Sequence, residues 1–216
     1  EKGEIEARFP KVLRKVAGYN LDHLGPPHAN SAHLLVGSEG TLAVSERLHL
    51  KLSPLPSART LGVVHFQRFY TAMDLTQQIV KLGPSAVELV DRTMIALARE
   101  IGAFRATVEQ FIRGEPDAIL LVEFSGEDRN EQVARLKRLV RLMGDLGLPG
   151  SVVEVTDAKA QRDIWEVRKA GLNIMMSMKG DGKPVSFIED CAVPLEHLAE
   201  YTDRLTEVFR KHPECF

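Results

Sequence analysis

The sequence contains only two cysteines, Cys191 and Cys215, and they form no CxxC pair. This excludes a small disulfide-stapled domain, since such a domain depends on several paired cysteines. Two cysteines also cannot build an iron–sulfur cluster, because a cluster takes about four protein ligands. The cysteine content is typical of a reducing compartment, in which both side chains remain thiols.

Long apolar runs and an excess of one charge are also missing. No stretch approaches the roughly 20 apolar residues that span a bilayer, and the charged start EKGEIEARF is unlike a secretory signal. The formal net charge is -2 and no basic stripe is present. The charge therefore gives no reason to expect nucleic acid or an acidic membrane as a partner. We expect a cytoplasmic location.

What is present is the composition of an ordinary globular chain, with 44% apolar and 27% charged residues. A chain of 216 residues holds one domain with a sizeable core, or one domain and part of another. The segment Ser53-Pro54-Leu55-Pro56 favours the second alternative, because two alternating prolines fix an extended connection. We expect the boundary there, between domains at residues 1–53 and 57–216.

The stretch HLLVGSEGTLAVSERLHLKL, residues 33–52, predicts a strand, a tight turn and a second strand. The second strand is indicated by leucines at every other position from 48 to 52. The two glycines of the turn let the main chain adopt positive φ and approach a bulky ligand, and Ser38 and Thr41 add hydroxyl donors. For so short a motif, a plain hairpin without a ligand is the alternative.

Beyond the proline linker, apolar periodicity predicts alternating strands and helices. Strands are expected at 59–66, 86–90, 118–125, 151–155 and 185–193, and helices at 68–82, 91–101, 104–112, 130–146, 157–178 and 195–210. The segment AILLVEFS at 118–125 is nearly all apolar, which indicates a central strand buried on both faces. Two successive β-helix-β groups predict an α+β fold, a ferredoxin-like antiparallel sheet with helices on one face.

Four segments together resemble one protein family. They are RKVAGYNL at 14–21, GSEGTLA at 37–43, DIWEVR at 163–168 and PVSFIED at 184–190. They resemble the FAD-linked oxidases of the vanillyl-alcohol-oxidase and p-cresol-methylhydroxylase superfamily, in the branch of the glycolate oxidase FAD subunit and the D-lactate and D-2-hydroxyglutarate dehydrogenases. The resemblance covers nearly the whole chain. It implies a remnant of the FAD-binding domain, closed by the turn, before an α+β substrate domain.

The resemblance also implies an activity, the oxidation of a D-2-hydroxy acid of the 2-hydroxyglutarate, lactate or glycolate type to the 2-oxo acid by hydride transfer to flavin. The family's pyrophosphate-binding loop and its histidine-bearing metal segment are not found here, which indicates a fragment of a larger enzyme. The segments GYNLDHL and KGDGKPVSFIEDCAVP are most similar to the large form that carries an iron–sulfur domain. FAD is therefore expected in the intact protein and not in this fragment, with an iron–sulfur cluster and a divalent metal in other segments. The implied partners are the 2-hydroxy acid and an electron acceptor or iron–sulfur domain. A second copy of the chain, forming a homodimer, is a further alternative.

The resemblance assigns Arg14 to the substrate carboxylate, which a guanidinium fork can bind at two points. Tyr19 matches a tyrosine beside the flavin, and Arg168 matches an arginine facing the active-site cavity. A solvated surface side chain is the alternative for both arginines. The cofactor-binding candidates are the six residues of the turn, Gly37, Ser38, Glu39, Gly40, Thr41 and Leu42.

No catalytic residue and no metal ligand is assigned within the chain, because the family places its base after Phe216. The adjacent carboxylates Glu189 and Asp190 alternate in direction along a strand, so only one of them can point inward. Functions of two other classes are weighed against the enzyme. A ferredoxin-like module can bind a small-molecule effector without catalysis. RNA binding ranks last, because AILLVEFS has one phenylalanine and no basic residue.

Overall fold

The computed structural model describes residues 2–12, 18–25, 30–176 and 191–212. Arg14, the loop 179–184 and residues 185–190 of the last predicted strand lie outside these ranges. Two compact units are present, one formed by Glu1–Pro54 and Ser186–Pro194 and the other by Leu55–Val185 and Leu195–Phe216. None of the helices in the described ranges combines the length and the apolar character needed to cross a lipid bilayer.

The first unit contains short helices and a turn. Its elements are α1 (Lys2–Arg8), a 3-10 turn (Leu21–His23) and α2 (Ala32–Leu35). The predicted strand, turn and strand at 33–52 is therefore wrong, since its first part is helical and residues 43–57 belong to no helix or strand. A run of three apolar residues does not distinguish a helical turn from a strand. Leucines alternate at 48, 50 and 52, but they are 67%, 75% and 85% exposed, and no described strand pairs with them.

The second unit is built on a four-stranded antiparallel sheet. Its strands are β1 (Ala58–Phe66), β2 (Ala86–Asp91), β3 (Ala118–Gly126) and β4 (Val152–Val155), in the order β2-β3-β1-β4. The helices are α3 (Phe69–Val80), α4 (Arg92–Glu100), α5 (Gly102–Phe111), α6 (Arg129–Asp145), α7 (Ala158–Lys169), α8 (Gly171–Met176) and α9 (Leu198–Lys211). Helix α3 connects β1 to β2 and helix α6 connects β3 to β4, which is the ferredoxin-like β-α-β-β-α-β arrangement. The α+β class and the antiparallel sheet are confirmed.

Helices cover both faces of the sheet, whereas the sequence predicted one. Helices α3, α6 and α9 pack with Val64 and Leu120 on one face, and α4, α5, α7 and α8 pack with Val63 and Leu121 on the other. The physical reason is the apolar character of β1 and β3, whose side chains are buried at odd and even positions alike. A strand that is apolar on both sides needs a layer on each.

Aspartates begin three of these helices. The side chain of Asp91 accepts from the Met94 amide at 2.8 Å, Asp128 from Asn130 at 2.7 Å, and Asp157 from Ala160 at 2.8 Å. Each satisfies an amide that has no partner within the helix. The predicted helix 157–178 is divided in two after Lys169, and α8 begins at Gly171. A Cβ on Gly171 would lie 3.0 Å from Met94 Cε, so glycine permits α8 to approach α4.

Gly62 in β1 generates a stability prediction. A Cβ there would lie 2.6 Å from Leu139 Cδ2 and 3.1 Å from Leu136 Cδ1, both buried in α6. Gly62→Ala should therefore lower the free energy of unfolding by about 1–3 kcal/mol through overpacking. Gly144→Ala is the control. Gly144 lies in α6, the helix of Leu136 and Leu139, and a Cβ there would meet nothing within 4 Å. It should raise stability by about 0.5–1 kcal/mol in urea denaturation. Unchanged stability of Gly62→Ala would contradict this packing.

His65 in β1 generates a pH prediction. The residue is 8% exposed, Nδ1 lies 3.0 Å from the Val63 and Ser151 carbonyl oxygens, and Nε2 accepts a hydrogen bond from the Arg113 amide at 3.1 Å. This arrangement uses both nitrogens of the neutral ring, and burial lowers the pKa of His65 below 6.5. The unfolded chain then binds more protons than the native one as the pH falls below about 6.5.

Native stability should accordingly be full above pH 6.5 and decline on acidification, by at most about 1.4 kcal/mol per pH unit from this group. Chemical denaturation between pH 7.5 and 5 measures the slope. His65→Gln should flatten it, whereas His49→Gln, at an exposed position, should leave it unchanged. Equal slopes for His65→Gln and the wild type would contradict the buried neutral ring.

Candidate functional site

The turn of the first unit has an unusual main chain. Gly37 and Gly40 have φ of 81° and 75°, and Glu39 between them has φ of 52°, the one positive value at a non-glycine among the described residues. A non-glycine residue in this region is strained, and such strain clusters at binding and catalytic sites. Successive residues of this kind bend the main chain into a concave surface that can receive a polar ligand group.

Side chains from the preceding segment hold this turn in place. The Tyr19 hydroxyl lies 2.9 Å from Thr41 Oγ1, which donates to the Ser38 carbonyl at 2.6 Å. The Asn20 side-chain amide donates to the carbonyls of His33 at 3.1 Å and Val36 at 3.0 Å. The structure thus brings Tyr19 to the predicted cofactor-binding residues. Sequence reasoning missed Asn20, although an amide side chain within a loop-rich segment can donate two hydrogen bonds to the main chain.

The surface of the turn is open at Gly40. Ser38 is buried at 5% exposure, Leu42 is 43% exposed, and a Cβ on Gly40 would meet nothing within 4 Å. The surface above Gly40 is therefore open to a ring that approaches the main chain.

The His23 and His33 rings stack with centroids 5.0 Å apart. Over the residues that the structure describes, no three histidine, cysteine or carboxylate side chains come together as a metal site.

The second unit carries a separate group of polar residues, which we call the polar margin. It comprises Arg59 of β1, Glu88 of β2 and Glu123 of β3, together with Trp165 and Arg168 of α7. Residues paired across neighbouring strands point to the same face of the sheet. Glu88 pairs with Leu121, and Glu123 pairs with Leu61 and Ala86. They therefore point to the sheet face that α7 covers. The polar margin therefore borders the apolar core on that face.

Trp165 is tied to the sheet within the polar margin. Its indole Nε1 donates to Glu123 Oε2 at 3.0 Å, and the Ser85 hydroxyl donates to Glu123 Oε1 at 3.3 Å. The ring also packs against the core cluster of this face. Trp165 thus satisfies a carboxylate that would be costly to leave half-buried without a partner.

Arg168 is the cation of the polar margin. Its Nη2 lies 2.8 Å from Glu88 Oε2, and the two side chains are 39% and 41% exposed. Its Nε is buried and has no hydrogen-bond partner among the described residues. A guanidinium offers five donors, so this half-exposed one can still bind a carboxylate at two points. Arg14, the other predicted substrate-binding arginine, lies outside the described residues.

Two cavities adjoin these residues. An open groove of about 400 Å³ is lined by Arg59, Glu123, Arg162 and Trp165 among others. A second cavity of about 20 Å³ lies between Arg168 and apolar core side chains. It has room for about one water molecule and is a packing void rather than a binding site. The groove is the larger and more polar space, and it opens on the polar margin.

Sequence reasoning missed Arg59, Glu88 and Glu123. The available signal was a glutamate between apolar residues in each of two strands, AVELVD and AILLVEFS. A charge in such a position requires a partner from another element. The partner itself could not be identified, because it depends on how α7 crosses the sheet.

Comparisons with known proteins match this architecture. The model of the C-terminal domain of FAD linked oxidases matches residues 55–215. The chain is 33% identical over 218 residues to the D-2-hydroxyglutarate dehydrogenase of Escherichia coli, covering 94% of this chain and 21% of that protein. It is 26% identical to the D-lactate dehydrogenase of Archaeoglobus fulgidus, covering 94% and 40%, and 22% identical to the glycolate oxidase subunit GlcD of Bacillus subtilis, covering 97% and 40%.

The chain spans about a fifth of the length of the D-2-hydroxyglutarate dehydrogenases that it matches. The family match begins at residue 55, directly after Pro54, and includes the whole four-stranded sheet. By this match and by its α+β fold, the chain belongs to the family of FAD linked oxidases and contains their C-terminal domain.

Proposed function

We propose that this chain forms the substrate side of an FAD-dependent dehydrogenase that oxidises a D-2-hydroxy acid to the 2-oxo acid. The observation that carries the proposal is the half-exposed Arg168 guanidinium, which Glu88 holds on the polar margin. The names of the D-2-hydroxyglutarate and D-lactate dehydrogenases support the class of substrate. The family name supports the cofactor, which belongs to the intact protein.

The reaction removes one hydride from the α-carbon and one proton from the hydroxyl group. FAD in the intact protein would supply the hydride acceptor. The role of this chain is to bind and orient the substrate. A correctly placed α-hydrogen lowers the activation free energy of its transfer. Arg168 binds the substrate carboxylate in this proposal, and Arg14 is the other arginine predicted to do so. No residue of the chain is assigned to take the hydroxyl proton.

The first unit supplies contacts for the cofactor. Gly37, Ser38, Glu39, Gly40, Thr41 and Leu42 would hold the flavin, with Tyr19 at its edge. The three positive φ values and the open space above Gly40 fit a ring placed against the main chain. In this proposal residues 1–53 are part of the FAD-binding domain and residues 57–216 are the substrate domain. The pyrophosphate site, an iron–sulfur cluster and a divalent metal belong to other segments, so the fragment alone should bind FAD weakly or not at all.

The proposal is tested on the intact protein by absorption spectroscopy. We expect flavin bands in the visible spectrum of the purified protein, and their anaerobic bleaching by a D-2-hydroxy acid such as 2-hydroxyglutarate or lactate. The L-enantiomers at equal concentration are the control and should bleach the flavin far more slowly. A purified protein without flavin, or with flavin that no 2-hydroxy acid reduces, would contradict the proposed function.

Arg14→Ala should weaken substrate binding in the intact protein. Loss of a charge-assisted contact of about 1.5–3 kcal/mol corresponds to a roughly 10- to 150-fold increase in the substrate concentration for half-maximal flavin reduction. Flavin content should not change. Arg14→Lys keeps the charge without the fork and should recover part of the affinity.

The matched control for Arg14 is Arg8→Ala, since Arg8 is an exposed arginine paired with Glu4 at 3.2 Å within α1. Its concentration dependence should equal that of the wild type, because exposed ion pairs contribute little. Wild-type behaviour of Arg14→Ala would identify Arg14 as a surface residue and leave Arg168 as the substrate-binding arginine.

A further inference from the structure

Glu88 is a carboxylate in the middle of an otherwise largely apolar edge strand. It lies in β2, which is at the edge of the sheet that the described strands form, and its side chain is 41% exposed. Its Oε2 lies 2.8 Å from Arg168 Nη2 on α7, 80 positions later in the chain. An edge strand and the last turn of a helix are thereby joined by a charge-assisted hydrogen bond.

A second carboxylate holds the same helix one turn earlier. Glu123 on the neighbouring strand β3 accepts from the indole of Trp165 at 3.0 Å. Positions three apart share one face of a helix, so Trp165 and Arg168 both meet the sheet. The Glu123 bond, together with the core contacts of Ile164 and Val167, holds α7 on the sheet, and the Glu88 bond orients the guanidinium that projects from it.

The donors of Arg168 that Glu88 does not use determine which ligand group the oriented guanidinium can bind. Glu88 takes a hydrogen bond at Nη2, and Nε is buried with no partner in the described part of the chain. The other guanidinium donors are left to bind a ligand carboxylate. A long arginine side chain that is free to sample its rotamers would have to be ordered at each binding event, and this ordering weakens affinity.

We infer that Glu88 is a positioning residue, which holds the Arg168 guanidinium in the orientation that binds the substrate carboxylate. The inference rests on the proposed function, in which Arg168 binds that carboxylate. Glu88 itself does not touch the substrate. Its effect passes entirely through Arg168, so it must disappear when Arg168 is removed.

The charge of Glu88 gives the opposite expectation if positioning is absent. A carboxylate beside the binding site repels an anionic substrate and competes with it for Arg168. In that case every substitution that removes the charge would strengthen substrate binding. Glutamine separates the two effects, because Glu88→Gln removes the charge and keeps an oxygen that accepts the Arg168 hydrogen bond, whereas Glu88→Ala removes both.

The experiment is anaerobic flavin reduction against the concentration of D-2-hydroxyglutarate or D-lactate, with the intact protein. We expect Glu88→Ala to raise the half-saturating concentration about 10-fold, the size of one lost charge-assisted hydrogen bond. Glu88→Gln should restore most of the affinity. In the Arg168→Ala background, Glu88→Ala should cause no further increase. The control is Glu166→Ala, which breaks an exposed pair with Lys169 on the same helix and should change nothing.

Each contrary result has a separate meaning. Tighter binding in both Glu88 variants, or wild-type dependence in Glu88→Ala, overturns the positioning role while substrate oxidation stands. An equal loss from Glu88→Ala with and without Arg168 shows a purely structural effect and also overturns it. If Arg168→Ala shows the wild-type dependence on substrate concentration, Arg168 does not bind the substrate, and the positioning role of Glu88 is overturned. A wild-type flavin that no 2-hydroxy acid reduces refutes the proposed function itself, and the positioning role with it.

Discussion

Burial of β3 on both faces is the constraint on which the second unit depends. This strand pairs with β1 along one edge and β2 along the other, and its side chains enter both core clusters. Two helical layers are needed to cover it, which explains why α4, α5, α7 and α8 are present in addition to the two helices of the ferredoxin-like pattern. Glu123 is its one charged residue, and that carboxylate anchors Trp165. The central strand thus organises the core and the polar margin together.

The two faces of the sheet have different chemical roles. On the face of α3 and α6, close packing dominates, as Gly62 against Leu136 and Leu139 shows. On the face of α7, the apolar core gives way to carboxylates that hold a tryptophan and an arginine. A rigid sheet supporting an oriented cation is a suitable platform for recognising a carboxylate. Both faces thus contribute to the core, and in the proposed function the face of α7 also recognises the substrate.

Much of the second unit could be predicted from the sequence, because its signals are local. The run AILLVEFS indicated a central strand, and Asp91 indicated a helix start that the structure confirms. The hairpin at 33–52 was wrong, because alternating leucines form a strand only where another strand supplies hydrogen bonds. Helices on both faces, and the pairing of Glu88 with Arg168, depend on contacts between distant segments. The assignments of Tyr19, Arg168 and the turn stay predictions.

Amide hydrogen exchange of the intact protein, with and without a saturating D-2-hydroxy acid, tests the central claim that the polar margin receives the substrate. The account predicts slower exchange in α7 around Arg168 and in β2 around Glu88 when the acid is present. The outward face of α6, on the opposite side of the sheet, should exchange at the same rate in both samples. Protection that is confined to segments other than the polar margin, or no protection at all, would contradict the account.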